Sequence, residues 1–296
     1  MKNIFRLLIT ALCCLIISDS VFAEQVRNPG GSKSTNTLKE IAAGCAAGNG
    51  QKYLDINNVR AICYSYGNGW FIENAEYEVP KGSKKTSMFS FSLWIGGIDV
   101  NNNLKLAAYR YGQGTGNPSH VKNDYWPGPL TVDGTAAIDA ETCAKYDKLY
   151  EITRAEVQEF LAWWENKEAY PNYTIPKSIL EWPAHGDKSK GQAYYLAPFA
   201  DVSGDGKYDP HTGDYPYYDL NNHLCPKNRK DSIPRIVKAK IKNGGPSDTT
   251  GYLVDQVLKG DQTLWSVYND KGNYHSETTG EPIGMEIRAQ YFAFAT

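Results

Sequence analysis

Residues 88–97 read Met-Phe-Ser-Phe-Ser-Leu-Trp-Ile-Gly-Gly, an alternation of large apolar with small or polar side chains that a strand can present and a helix cannot. Asn101, Asn102 and Asn103 break the run, and Leu104-Lys-Leu-Ala-Ala-Tyr-Arg-Tyr111 resumes it, so this stretch predicts a β-hairpin. Shorter segments of the same kind surround it: residues 59–64, 67–71 and 77–80 before it, 260–268 and 283–296 far after it. With 21 Tyr, 7 Trp and 27 Gly against 3 Met, the composition suits strands joined by many turns and leaves little material for long amphipathic helices. The predicted fold class is mainly β, an antiparallel β-sandwich-like domain with one inserted amphipathic helix and long ordered loops.

That helix has a clear start. Thr153 followed three residues later by Glu156 makes a capping box, and Val157, Phe160, Leu161 and Trp164 then share one face. Pro171 stops it, and the stretch Trp182-Pro-Ala-His-Gly-Asp187 is too rich in Pro and Gly to be regular. A second, shorter helix is expected from Leu38 to Gly48.

Residues 1–23 have the plan of a secretory signal peptide: Lys2 and Arg6, an apolar run from Leu7 to Ile17, and a small-residue site ending at Ala23, so cleavage would expose Glu24. The run of about 11 residues is too short to span a bilayer. The expected organisation is therefore a signal peptide over 1–23, a polar lead with a short helix over 24–50, and a single β-rich domain over 51–296, with no membrane span in the mature chain. The last alternating run stops at Thr296 without a closing turn, which predicts a continuation beyond it. A formal net charge of −2 gives no basis for binding nucleic acid.

Four cysteines follow the signal segment: Cys45, Cys63, Cys143 and Cys225. An even count in an exported chain predicts disulfides, and no CxxC knuckle supports zinc. Of the three possible pairings, Cys45 with Cys63 and Cys143 with Cys225 is preferred, because the first closes a short local loop.

The most specific chemical signal is Asp201-Val-Ser-Gly-Asp-Gly-Lys-Tyr-Asp209. Asp201, Ser203, Asp205 and Asp209 stand at positions 1, 3, 5 and 9 of an EF-hand-type loop, with Gly206 at the sharp turn and Lys207 at the position that offers its main chain. Position 12 is Thr212 rather than an acid, and Asp214 arrives two residues later, a dockerin-like departure. The flanks are aromatic and Pro-broken, so a static structural calcium is expected rather than a sensor.

Several blocks together carry a resemblance: Asn57-Asn-Val-Arg-Ala61, Tyr77-Glu-Val-Pro-Lys-Gly82, Ser92-Leu-Trp-Ile-Gly-Gly97, Trp126-Pro-Gly-Pro-Leu130, Ile152-Thr-Arg-Ala-Glu-Val157, Trp182 to Asp187, the acidic loop, Gly260-Asp-Gln-Thr-Leu-Trp265 and Glu286-Ile-Arg-Ala-Gln290. The chain resembles the N-terminal region of large exported proteins of the Bacteroidetes, which typically carry a C-terminal sorting domain for type IX secretion. That family has no assigned activity, so the resemblance implies location and architecture rather than chemistry. It departs here in lacking the sorting domain. The expected location is secreted or cell-surface, or periplasmic if Thr296 is the true end.

For catalysis, His120, His185, His211, His223 and His275 are dispersed, without an HExxH or a GxSxG elbow. His185 with Asp187 is the one base-and-orienter candidate, although residues so close in a loop more often bond the backbone. Trp70, Trp126 and Trp182 are candidates for stacking a sugar, if exposed on one flat face. The leading expectation is a non-catalytic, calcium-stabilised structural or adhesion-type module that meets a glycan or protein ligand at the surface. The alternative is a secreted carbohydrate-binding module or a hydrolase acting on polysaccharide or peptide.

Overall fold

The computed structural model describes residues 43–70, 77–109, 122–218 and 257–295. The signal segment, most of the polar lead, His120, His223 and Cys225 lie outside them. In chain order the strands are β1 (Gln51–Leu54), β2 (Arg60–Tyr64), β3 (Asn68–Gly69), β4 (Tyr77–Glu78), β5 (Phe91–Ser92), β6 (Trp94–Ile98), β7 (Leu104–Ala108), β8 (Trp126–Pro127), β9 (Tyr150–Thr153), β10 (Phe199–Ala200), β11 (Tyr215–Pro216), β12 (Gln262–Asn269) and β13 (Glu286–Ala293). The α-helices are α1 (Ala140–Tyr146), α2 (Arg154–Glu165) and α3 (Lys177–Leu180).

All strand ladders are antiparallel. One sheet runs β1-β2-β3-β5 with β4 beside β2, and a second centres on β12, flanked by β13 on one side and by β8 and β9 on the other. The predicted hairpin forms as β6 and β7, with Asn102 taking the left-handed conformation (φ 68°) in the turn between them.

β12 explains the layering. Every one of its eight residues is buried, because its two faces pack against different layers. Leu264 and Tyr268 face the first sheet and the hairpin: Leu264 clusters with Cys63, Leu54 and Tyr291, and Tyr268 with Ala107, Tyr109 and Tyr125. Gln262 ties the same face to the end of β1, donating to the Tyr53 carbonyl (3.0 Å) and accepting from the Asp55 amide (2.8 Å). Trp265 and Val267 face the other way, into a layer of helices and ordered loops that contributes Val157, Phe160, Ile179, Trp182 and Leu196. The result is a β-sandwich-like pair of sheets with a helical and loop layer on its outer face.

The capping box at α2 is formed: the Thr153 hydroxyl accepts from the Glu156 amide, and the Glu156 carboxylate accepts from the Thr153 amide at 2.8 Å. The short helix expected from Leu38 is not present over its described part, residues 43–50. That stretch is irregular because its polar groups bond elsewhere. The Cys45 amide donates to the Gly272 carbonyl, and the Asn49 and Gly50 amides donate to the Asp147 carboxylate.

The preferred disulfide pairing is wrong. Cys45 bridges to Cys143 on α1, with Cα atoms 5.8 Å apart, and Cys63 is a free, buried thiol. The Cys45 segment is held beside α1, whereas Cys63 on β2 points into the sandwich against Leu149 and Leu264. Short sequence separation favours closure only when the side chains point at each other, and on β2 the thiol points inward. Burial pushes the Cys63 thiol up to about 12.

Candidate metal centre

The acidic loop is closed at its base. β10 and β11 pair as a two-residue ladder, Phe199 with Pro216 and Ala200 with Tyr215, so residues 201–214 form the loop of a hairpin. Gly204 and Gly206 both have positive φ (84° and 81°), which lets the chain turn back twice without a Cβ clash.

Within the loop, Asp201, Asp205 and Asp214 each bring a carboxylate oxygen to within 4.8 Å of the others. Asp201 and Asp214 are buried and Asp205 is exposed, so the cluster has two inner ligands and an outward one. The Asp201 carboxylate accepts from the Gly204 amide (2.6 Å) and the Gly206 amide (2.7 Å). Asp214 accepts from the Val202 amide (2.7 Å) and the Asp209 amide (3.0 Å), pinning the far end of the loop onto its beginning. The Ser203 hydroxyl lies between the two odd-position acids, 3.2 Å from Asp201 and 3.1 Å from Asp205. Burial pushes the Asp214 carboxyl above its ordinary value, three backbone amides pull against this, and the Asp201 charge adds to the rise. Three acids at this spacing repel one another, and a cation among them removes that repulsion. The arrangement can hold a metal ion.

Six residues were expected at the metal. Asp201, Asp205 and Asp214 are brought together, and Ser203 sits among them. Lys207 takes part through its backbone amide, which donates to Asp205 at 2.8 Å. Asp209 is turned away: its carboxylate accepts from the His211 amide and caps the 3₁₀ turn Pro210–Thr212. Asp214 therefore takes the closing role that position 12 fills in a regular loop. The reason is the inserted 3₁₀ turn, which carries the chain past Thr212 before it can face the cavity again.

Aromatic contacts fasten the loop to the helical layer. The Tyr208 hydroxyl donates to the Ile179 carbonyl (2.7 Å), and the Tyr208 ring meets Phe199 edge-on at 5.4 Å. Gly213 (φ 100°) packs so closely on Trp164 that a Cβ there would lie 2.7 Å from the indole. His185 also lies by the loop, where the charges of Asp201 and Asp205 reach it; burial, the larger influence, lowers its pKa.

The pairing of His185 with Asp187 is not made. The His185 ring stacks on Tyr194 (centroids 4.1 Å apart) and its Nδ1 meets the Tyr194 carbonyl at 3.0 Å. Its Nε2 is buried and has no hydrogen-bond partner among the described residues. The Asp187 carboxylate instead accepts from the Ser189 amide and hydroxyl, starting the 3₁₀ turn Lys188–Lys190. An aspartate two residues after a histidine has a nearby backbone amide to cap, and here that contact wins.

The expected stacking face is also absent from these three rings. Trp126 is buried beside the Cys45–Cys143 bridge, and Trp182 is buried with its indole N–H on the Pro198 carbonyl. Trp70 is half-buried between Tyr77 and Phe91. Their apolar area is used inside the sandwich and beneath the loop layer. The exposed indole is that of Trp94 on the hairpin, 65% accessible, and alternation alone does not say which of its two faces meets solvent.

Among the described residues, no helix is long and apolar enough to cross a membrane. No protein family, no curated protein and no solved structure matches the chain.

Proposed function

We propose that this chain is a non-catalytic structural or adhesion-type module of an exported or cell-surface protein, and that calcium stabilises its acidic loop. The observation that carries the reading is the convergence of Asp201, Asp205 and Asp214 within a hairpin loop closed at its base. All the converging donors are oxygen, the donor set of a hard cation, and the group holds no imidazole or thiolate that would favour zinc or copper. Two buried acids and one exposed acid suit a site filled once and kept. The export half of the reading rests on the signal-peptide plan of residues 1–23 and on the resemblance to type IX-secreted Bacteroidetes proteins. A surface glycan or protein is the expected partner.

Calcium would act here through stability. An ion that binds only the folded chain adds about 2.7 kcal/mol at a hundredfold excess over its Kd, which for a domain of this size raises Tm by roughly 5–10 °C. Thermal unfolding of the oxidised protein in excess calcium and in chelator, repeated on Asp205→Ala, tests this. The expected result is a calcium-dependent rise that Asp205→Ala abolishes; identical melting in both conditions sinks the metal assignment. Magnesium in place of calcium should do less, because a small octahedral ion keeps its water. Intact mass of the protein recovered from its producing cells tests export, with an N-terminus at Glu24 expected and one at Met1 excluding it.

A further inference from the structure

A second set of buried ionisable groups, among the described residues, involves none of the acidic-loop residues. It forms where residues 270–285 fold back over β7 and over the segment that leads into β8. Asp124 is fully buried and accepts from the Ala108 amide (3.1 Å), the Glu277 amide (3.0 Å) and the Thr278 hydroxyl (2.7 Å). Asp270, also fully buried, accepts from three successive amides, those of Ile283 (2.6 Å), Gly284 (2.9 Å) and Met285 (2.7 Å). Between these two acids lies His275, its side chain wholly shielded from solvent.

Both ring nitrogens of His275 face backbone carbonyl oxygens. Nδ1 is 2.7 Å from the Leu106 oxygen, and Nε2 is 2.7 Å from the Asp270 oxygen. A carbonyl can only accept, while a neutral imidazole has one donor and one acceptor nitrogen. A neutral ring would therefore set a bare nitrogen lone pair against an oxygen lone pair in a site without solvent, which is costly. With both nitrogens protonated, each carbonyl is bonded, and the charge is answered by the Asp124 carboxylate 3.8 Å from Nδ1. Among the described residues His275 is the one cationic group within ion-pair distance of Asp124.

We infer that His275 is held as a buried imidazolium and acts as a proton-dependent latch, fastening residues 270–285 onto β7 and onto Asp124. Other charged groups on the surrounding elements are engaged elsewhere or carry the opposite sign. Lys105 on β7 reaches Asp99 at 3.9 Å. Glu281 meets β7 through its backbone, its carbonyl accepting from the Leu106 amide. Glu277 is the remaining buried acid on the latch segment, and Lys271 follows Asp270. The Trp126 ring covers the histidine from the β8 side at 5.9 Å. The sign follows from the donor count: the latch is complete while both protons are held, and it weakens as rising pH removes one.

The direct test is nitrogen NMR of the histidine rings in the wild-type protein at about pH 7.5, one unit above the ordinary histidine value. His275 is expected to show two protonated nitrogens there, with exposed His211 as the internal reference. A single neutral tautomer for His275 at that pH overturns the proposal. Hydrogen exchange supplies a second reading. Protection factors of the Glu277 and Thr278 amides, both bonded to Asp124, should fall with rising pH, by up to about tenfold per pH unit while the closed latch keeps a proton that the opened one releases, whereas those in β12 hold. In His275→Gln the same amides should lose this pH dependence; retention of it in that variant refutes the latch.

Discussion

Removing the Cys45–Cys143 bridge should cost this protein several kcal/mol of stability. The two residues are 98 apart in sequence, and in the chain-entropy treatment closing a loop of that length restricts the unfolded state by about 4.7 kcal/mol at 25 °C. A local Cys45–Cys63 bridge, 18 residues apart, would restrict it by only about 3 kcal/mol. The bridge also packs against Trp126 in a small cluster with Ala43 and Ile138, so its loss loosens residues 43–50 as well. At roughly 2–4 °C per kcal/mol for a domain of this size, the expected fall in Tm is about 9–19 °C. The assay is calorimetry on Cys45→Ser, Cys143→Ser and the double variant, with Cys63→Ala as control. Both single variants should fall by the same amount, and the double variant no further, because each already breaks the one bond. Cys63→Ala should lose only about 1 kcal/mol, as a small buried substitution does. If Cys63→Ala falls as far as Cys45→Ser, or if the double variant falls by the sum of the singles, the Cys45–Cys143 pairing is refuted.

Gly213→Ala places a Cβ 2.7 Å from Trp164 at φ 100°, whereas Gly134→Ala (φ 91°) meets nothing within 4 Å. Urea denaturation should show a loss of about 1–2 kcal/mol for Gly134→Ala from backbone strain alone, and roughly 1–3 kcal/mol more for Gly213→Ala; equal losses would mean that the Trp164 contact is soft. Asp139 caps α1, accepting from the Thr142 amide at 2.7 Å. Its bonds to Thr142, helped by Lys190 at 3.0 Å, hold its carboxyl down to about 2. A depressed folded value means that this stability is present above the unfolded value near 3.9 and is lost as pH falls towards about 2. Asp139→Asn keeps a capping oxygen but should flatten the denaturation midpoint over that window, by less than about 1 kcal/mol, because the side chain is 54% exposed. An unchanged acid slope would show that the carboxylate makes no net contribution.

Local pattern was legible wherever one residue's environment follows from its neighbours in sequence. Of the alternating runs at 88–97 and 104–111, residues 94–98 and 104–108 became β6 and β7 while 91–92 became β5 on the other sheet; the Thr153/Glu156 box became the start of α2, and the runs at 260–268 and 283–296 became β12 and β13. The acidic loop was legible for the same reason: Asp201, Ser203 and Asp205 reach one concavity by spacing alone. Asp214 entered as a displaced ligand, and the 3₁₀ turn that displaced it consumed Asp209 as a cap. The Leu38 to Gly48 helix failed over its described part because Cys45, Asn49 and Gly50 bond to partners about 100 or more residues away.

What the chain's own order of residues determined, then, is period, turn and loop chemistry, all of which act over a few residues. Which faces meet was decided only by tertiary packing. Trp126 and Trp182 read equally well as surface platforms or as core until the layers close over them. Cys45 finds Cys143 rather than Cys63 because β2 turns its thiol into the sandwich. His275, one of five scattered histidines, gains its two carbonyl partners only when residues 270–285 fold back on β7. Spacing is a property of the backbone's geometry, whereas burial, pairing and charge state depend on groups that distant parts of the chain bring to the same place.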